Sequence, residues 1–140
     1  MDWSDINSDK NYHFWKVYEK SKLCNVLFTR ELAKRLEGTR VTVNALHPGV
    51  VRTELSRHFN GWISMVLSPI FYPFKMFGYK TVHQGAQTNI FCVVSPDLEK
   101  VSGVYFADCR KEELLPHALN EEDAKKLWDL SEKLCKSFMN

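Results

Sequence analysis

The chain begins with a polar stretch and then shows helical spacing of its apolar residues from about residue 17 onward. Two apolar stripes run along residues 17–36: Leu23, Val26, Leu27, Ala33 and Leu36 form one, and Cys24, Phe28 and Leu32 form the other. Two stripes indicate a helix that is covered on more than one side. Gly38 lies where a glycine commonly ends a helix. The pattern therefore predicts a helix over residues 17–36.

Two short apolar runs have the composition of buried strands. The first covers residues 41–46 and is rich in β-branched side chains, and the second covers residues 103–107. His47-Pro48-Gly49 ends the first run, because proline cannot donate a hydrogen bond to a sheet and glycine permits a sharp turn.

Two further helices are predicted, at residues 83–94 and at residues 121–138, with Asn120 and Asp123 in position to cap the second. The order helix–strand–helix–strand–helix predicts an α/β protein with a parallel sheet. Two strands are too few for a stable sheet, which normally needs three or more strands and helices on both faces. We therefore expect only part of a larger α/β domain.

Length and composition narrow the class of protein. The 140 residues suffice for one domain, and 44% apolar with 26% charged residues is ordinary for a soluble globular protein. Nineteen basic against seventeen acidic residues give a net charge of +2, so a nucleic-acid partner is not expected. With neither a signal-peptide pattern nor an uninterrupted apolar stretch of about 20 residues, we expect a cytoplasmic chain or one peripheral to an intracellular membrane.

The cysteines and histidines do not predict a metal site. The four cysteines lie far apart, and the five histidines form no H-x-H or H-x-x-x-H pattern. We expect free, partly buried thiols in a reducing compartment. His47 is interpreted as a strand-end histidine bonded to nearby backbone, since no acidic partner is evident to orient it. Asn44 is interpreted as a strand residue that fixes local polar contacts.

The strongest candidate for chemistry is Tyr18-x-x-x-Lys22 near the start of the first helix. Residues four apart lie on one helical face. A tyrosine hydroxyl has a pKa near 10 and works as an acid or base near neutral pH only when a nearby cation favours its anion. Lys22 is placed to supply that charge. Taken alone, the spacing more often reflects a packing tyrosine and a solvated lysine than a catalytic pair.

The wider context resembles a known family. After Tyr18 and Lys22 come a helix, the segment Val43-Asn44-Ala45-Leu46-His47-Pro48-Gly49, and Thr53. This order and spacing resemble the short-chain dehydrogenase/reductase family. The longer strings YEKSKLCNVLFTRELAKRLEGTRVTVNALHPGVVRTEL and HQGAQTNIFCVVSPDLEKVSGVYFADC are similar to its retinol dehydrogenase branch. The resemblance covers nearly the whole chain and implies a Rossmann-type, doubly wound parallel sheet.

The resemblance implies a role for each matching position. Tyr18 matches the catalytic acid/base, and Lys22 matches the residue that bonds the nicotinamide ribose and lowers the tyrosine pKa. Pro48, Gly49 and Val50 match the turn that lies against the nicotinamide, and Thr53 matches a hydroxyl that reaches the cofactor's carboxamide or phosphate. Hydride transfer itself belongs to the cofactor. The branch generally prefers NADP(H) over NAD(H) and acts on retinoids and other apolar aldehydes.

The chain departs from the family pattern in its phosphate loop and its serine. Its six glycines include no G-x-G, although the family's dinucleotide loop needs clustered glycines. Ser4 and Ser8 precede Tyr18 in a polar stretch without a strand pattern, so neither is assigned the catalytic role. The family's upstream helper asparagine is not found either. We therefore interpret residues 1–140 as the C-terminal catalytic and substrate-loop part of one domain, whose dinucleotide-binding half is missing. On that interpretation the isolated chain need not bind a cofactor.

Residues 50–82 correspond in this comparison to the substrate-covering loop. Its aromatic part, residues 59–79, has three interpretations: a cover for an apolar substrate, a membrane-surface contact, or core packing under a loop. The second apolar stripe of helix 17–36 has two interpretations. It is either a homodimer interface, of the kind common in the family, or part of the core packing.

Two functions follow from the sequence. The first is an NADP(H)-dependent oxidoreductase that interconverts apolar alcohols with aldehydes or ketones, such as a retinoid or a lipid aldehyde. The alternative is a catalytically inactive chain that associates with full-length subunits.

Overall fold

The computed structural model describes residues 1–51 and 79–138, apart from the side chain of Phe138. Helix α1 covers Phe14–Arg35 and begins three residues before the predicted start. Its last carbonyls are closed by turn hydrogen bonds, and Gly38 follows with a φ of +82°. That left-handed conformation favours glycine, which agrees with the predicted stop.

The sheet has three strands in the order β1 (Ala45–His47), β2 (Tyr105–Ala107) and β3 (Arg110–Lys111). The sheet is mixed, because β2 and β3 form a hairpin, so the expected parallel sheet of an α/β fold is found only in part. β1 is also shorter than the predicted strand. At Asn44 the side chain takes part in the pairing: its Oδ1 accepts the N–H of Val104 at 3.0 Å and its Nδ2 donates to the Val101 carbonyl at 2.8 Å.

The two later helices lie where the pattern placed them. Helix α2 covers Val82–Val94 and starts with a capping box, in which Thr81 and Gln84 each bond the other's backbone N–H. Helix α3 covers Glu121–Phe138, and the Asn120 side chain accepts the N–H of Asp123 at 3.0 Å. The Asp123 carboxylate accepts a hydrogen bond from the Trp3 indole N–H at 2.7 Å. Short 3₁₀ turns at Pro96–Leu98 and Pro116–Leu119 precede β2 and α3.

The chain divides into two compact units. The first comprises Met1–Ala45, Pro96–Tyr105 and Lys111–Asn140. Its core is the contact between α1 and α3, where Leu27, Ala124 and Leu127 are buried. Phe28 stacks on Trp128 with ring centroids 5.0 Å apart. The second stripe of α1 is thus used, at Phe28, for packing inside the chain, as the core interpretation expects.

The second unit comprises Leu46–Ser95 and Phe106–Arg110. Its described part is built on α2, where Gly85 and Thr88 are buried and Phe91 meets Phe106 edge to face at 6.0 Å. An isolated parallel bridge joins Val51 to Lys80. Among the helices that the structure describes, none combines the length and the apolar character needed to cross a membrane.

Candidate functional site

Tyr18 and Lys22 are neighbours on the first turns of α1. The Lys22 ammonium lies 5.3 Å from the centroid of the Tyr18 ring, within cation–π range. Both side chains are exposed, Tyr18 to 46%. This distance confirms the predicted proximity of the two groups, which follows from their spacing of four residues on a helix. The phenol and the ammonium are both open to a ligand.

The helix start is anchored by the other lysine of the motif. Lys20 Nζ donates to the Asp5 carbonyl at 2.9 Å and to the Ser8 hydroxyl. Ser8 is buried at a φ of +58°, and the Ser4 hydroxyl donates to the Asp2 carboxylate at 2.7 Å. Both serines therefore make local structural contacts.

Tyr105 on β2 is a neighbour of Tyr18 that the sequence analysis did not identify. Its pKa is raised, first by burial of the hydroxyl and then by the negative charge of Glu112 and the phenolate form of Tyr18. A neutral hydroxyl is thus kept within electrostatic reach of the candidate acid/base. Nothing local in the sequence links the two tyrosines, since only the pairing of distant segments brings them close.

The predicted nicotinamide turn, Pro48 to Val50, forms part of the second unit. Gly49 has a φ of +85°, and its N–H donates to His47 Nδ1 at 3.0 Å. The interpretation of His47 as a histidine bonded to nearby backbone is therefore confirmed. The Val50 carbonyl accepts the N–H of Lys80 at 2.8 Å, while the Val50 side chain is 58% exposed.

Lys80 is a second residue that sequence reasoning missed. Its side chain crosses the turn so closely that a Cβ at Gly49 would lie 2.8 Å from it. Lys80 also pairs with Asp108, and this hydrogen bond and charge lower the pKa of the Asp108 carboxyl. A cation is thereby fixed beside the turn. It follows the 59–79 segment in the sequence, where no motif indicated it.

Thr53 and nearly all of residues 59–79 lie outside the described residues, so their predicted roles remain predictions. Tyr79 is the exception and is 39% exposed. Tyr18 and Lys22 are brought together in the first unit. Pro48, Gly49 and Val50 are brought together in the second.

Comparisons with known proteins identify the family of the chain. The family model described as short chain dehydrogenase matches residues 4–64, a segment that contains every predicted site residue. Retinol dehydrogenase 14 of Mus musculus is 53% identical over 132 residues, which are 94% of this chain and 39% of the relative. Retinol dehydrogenase 14 of Homo sapiens is 52% identical over the same shares.

Retinol dehydrogenase 12 of Homo sapiens is 48% identical over 127 residues, 91% of this chain and 38% of that protein. The chain belongs to the short-chain dehydrogenase/reductase family, and within it to the branch that resembles retinol dehydrogenases. It spans about two fifths of the length of these curated relatives.

Proposed function

We propose that the protein is an NADP(H)-dependent oxidoreductase that interconverts apolar alcohols with aldehydes or ketones, with Tyr18 as its acid/base. The observation that carries this proposal is the exposed Tyr18 phenol with the Lys22 ammonium 5.3 Å from its ring. Both groups are exposed on one face of α1, so a substrate can contact them together. The relatives carry retinol dehydrogenase names, which supports a retinoid or another apolar carbonyl compound as substrate.

The direction of proton transfer at the Tyr18 hydroxyl depends on the direction of the reaction. In reduction, the Tyr18 O–H donates its proton to the carbonyl oxygen of the substrate, and in oxidation the phenolate accepts the proton of the alcohol. Lys22 stabilises the phenolate in both directions.

The residues present suit the nicotinamide end of a dinucleotide. The exposed Val50 side chain offers an apolar surface to a nicotinamide ring, and Gly49 adopts the positive φ that the tight turn requires. Lys22 would bond the ribose hydroxyls and Thr53 the carboxamide or a phosphate. When bound, the dinucleotide supplies or accepts the hydride. The absence of G-x-G from the printed sequence leaves the diphosphate without an assigned loop.

The test uses the full-length protein that carries these residues, with NADPH and all-trans-retinal. Tyr18→Phe should lower the rate of retinal reduction about 10²–10⁴-fold, the usual contribution of general acid–base catalysis. Tyr12→Phe, which removes the same hydroxyl from an exposed tyrosine just before α1, should leave the rate unchanged. A Tyr18→Phe enzyme with normal activity would refute the role of Tyr18.

The role of Lys22 is tested by the pH profile of alcohol oxidation. Lys22→Met removes the cation beside Tyr18, so the rate of alcohol oxidation should fall and its dependence on pH should change. Lys16→Met, on the same helix and exposed, should leave the profile in place. Calorimetric titration of NADPH into the 140-residue chain then asks whether these residues alone bind the cofactor.

The partner proposals are tested separately. A homodimer through residues 17–36 predicts self-association in sedimentation, whereas a monomer at every concentration contradicts it. Contact of residues 59–79 with a membrane predicts flotation with liposomes, and failure to float contradicts it. The alternative of a chain that only binds full-length subunits gains no support from relatives with dehydrogenase names.

A further inference from the structure

The turn between β2 and β3 places a cysteine where a hairpin normally prefers glycine. Asp108 and Cys109 have φ values of +50° and +58°, as in a two-residue turn that favours Asn-Gly. A cysteine is disfavoured in this left-handed region. Two contacts hold the turn: the ion pair between Asp108 and Lys80, and the Cys109 N–H, which donates to the Thr88 hydroxyl at 3.3 Å. A thiol is thus kept at a strained and tightly held position.

The helix opposite this turn carries a second thiol. Thr88, only 1% exposed, lies 3.9 Å from the Cys109 sulfur, measured from its Oγ1. Cys92 is four residues further along α2, on the same face as Thr88 and one helical turn away. Burial raises the pKa of Cys92, and the next contribution comes from Cys109, which indicates that the two sulfurs are within electrostatic reach. Both cysteines are half-buried.

The other two cysteines have different surroundings. Cys24 packs against the Leu27 core of the first unit, and Cys135 is exposed near the end of α3. All four are free thiols in this structure. Cys92 and Cys109 both lie near Thr88, whose hydroxyl contacts Cys109 and whose helical face carries Cys92.

We propose that Cys92 and Cys109 form a redox-sensitive pair that closes a reversible disulfide when the protein meets a peroxide. One thiolate attacks the O–O bond and becomes a sulfenic acid, and the peroxide loses one oxygen and leaves as water. The second thiol then attacks the sulfenic sulfur, the S–S bond forms, and a second water leaves. The two thiols lose two electrons in total, and one hydrogen peroxide is reduced to two waters.

This assignment is independent of the proposed catalytic activity, so it can be tested on the 140-residue chain without cofactor. The reduced chain is treated with increasing hydrogen peroxide, remaining thiols are blocked with N-ethylmaleimide, and the chain is digested with trypsin. Residues 81–100 and 101–110 form two tryptic peptides with one cysteine each. We expect these two peptides linked, with the loss of two hydrogens, several-fold more abundant than any link to Cys24 or Cys135, and separated again by dithiothreitol.

Matched variants separate a folded site from chance pairing. Cys92→Ser and Cys109→Ser should each abolish the 81–100/101–110 link, whereas Cys135→Ser should leave it unchanged. Repeating the oxidation in concentrated urea should reduce the preference to a statistical mixture of pairings. Peroxide is raised until the exposed Cys135 is oxidised. If Cys92 and Cys109 are still reduced at that point, or if Cys109 links preferentially to Cys24 or Cys135, the proposal is wrong. An equal preference in urea would also overturn it.

Discussion

Gly85, at the end of the first turn of α2, lies close to the side chain of Val51. It is buried, and a Cβ added there would lie 2.4 Å from Cγ2 and 3.1 Å from Cγ1 of Val51. Val51 is held in place by its bridge to Lys80, and a valine side chain has few alternative rotamers. The helix can therefore lie this close to the bridge only because residue 85 has no side chain.

Gly85→Ala sets two opposite effects against each other. Alanine is favoured over glycine in a helix interior by about 1 kcal/mol. Overpacking a close contact costs about 1–3 kcal/mol. Because the contact of 2.4 Å leaves no room for adjustment at Val51, the clash should dominate. We expect a net loss of about 1 kcal/mol in the free energy of unfolding.

A double-mutant cycle with Val51→Ala tests whether the Val51 side chain causes the loss of stability in Gly85→Ala. Val51→Ala removes both Cγ atoms and leaves its Cβ 3.4 Å from the new methyl, an ordinary contact. In that background, Gly85→Ala should become stabilising by up to about 1 kcal/mol through helix propensity. The four chains are compared by urea unfolding followed by circular dichroism. Ala86→Gly, at the next helical position, is the control and should cost about 0.5–1 kcal/mol.

The reasoning is refuted if Gly85→Ala has the same effect in both backgrounds. Independent sites add within about 0.3–0.5 kcal/mol, so a coupling below that limit would mean that Val51 does not restrict residue 85. A stabilising Gly85→Ala in the chain with Val51 would contradict the close contact directly.

Three further predictions concern the polar contacts. Asn44→Ala should cost about 1–3 kcal/mol of unfolding free energy in urea titrations, since it leaves two backbone groups without partners; an unchanged midpoint would contradict this. Asp108→Asn should lower thermal stability near neutral pH and make no difference in strong acid. The folded chain holds the Asp108 carboxyl pKa below its ordinary value, so the ionised carboxylate stabilises the fold at pH values above that ordinary pKa, and this gain is lost as the pH falls through the folded pKa. High salt should shrink the difference between the two chains, and a salt-independent effect would argue against the Lys80 pair. Thr81→Ala should cost about 1 kcal/mol and Thr81→Ser much less, as the cap requires the hydroxyl; equal losses would refute the cap.

The helices could be predicted because their signals are local. Apolar spacing, the stop at Gly38 and the cap at Asn120 all act within a few residues, and each lies where the structure has it. β3 could not be predicted in the same way. Its two residues, Arg110 and Lys111, are polar, and the Asp108-Cys109 turn lacks the Asn-Gly signal of a tight hairpin. The turn residues instead contact Lys80 and Thr88, which lie more than 20 residues away in the sequence.

The same distinction applies to the candidate site. The pairing of Tyr18 with Lys22 depends on helical spacing, and the bond between His47 and Gly49 spans two residues, so both could be predicted from the sequence. Lys80 and Tyr105 approach their neighbours through the pairing of distant segments. No short motif carries that information.

The two lysines after Tyr18 show how far local geometry alone can assign roles. Lys20 is two residues away, which on a helix turns it about 200° from Tyr18, whereas Lys22 at four residues returns to the same face. Lys20 donates hydrogen bonds to Asp5 and Ser8 in the preceding loop, and Lys22 lies over the ring of Tyr18. A change at Lys20 should therefore act through the position of the helix start, and a change at Lys22 through the charge beside the tyrosine. In one short motif, spacing separates a lysine that bonds the preceding loop from one that lies over the Tyr18 ring.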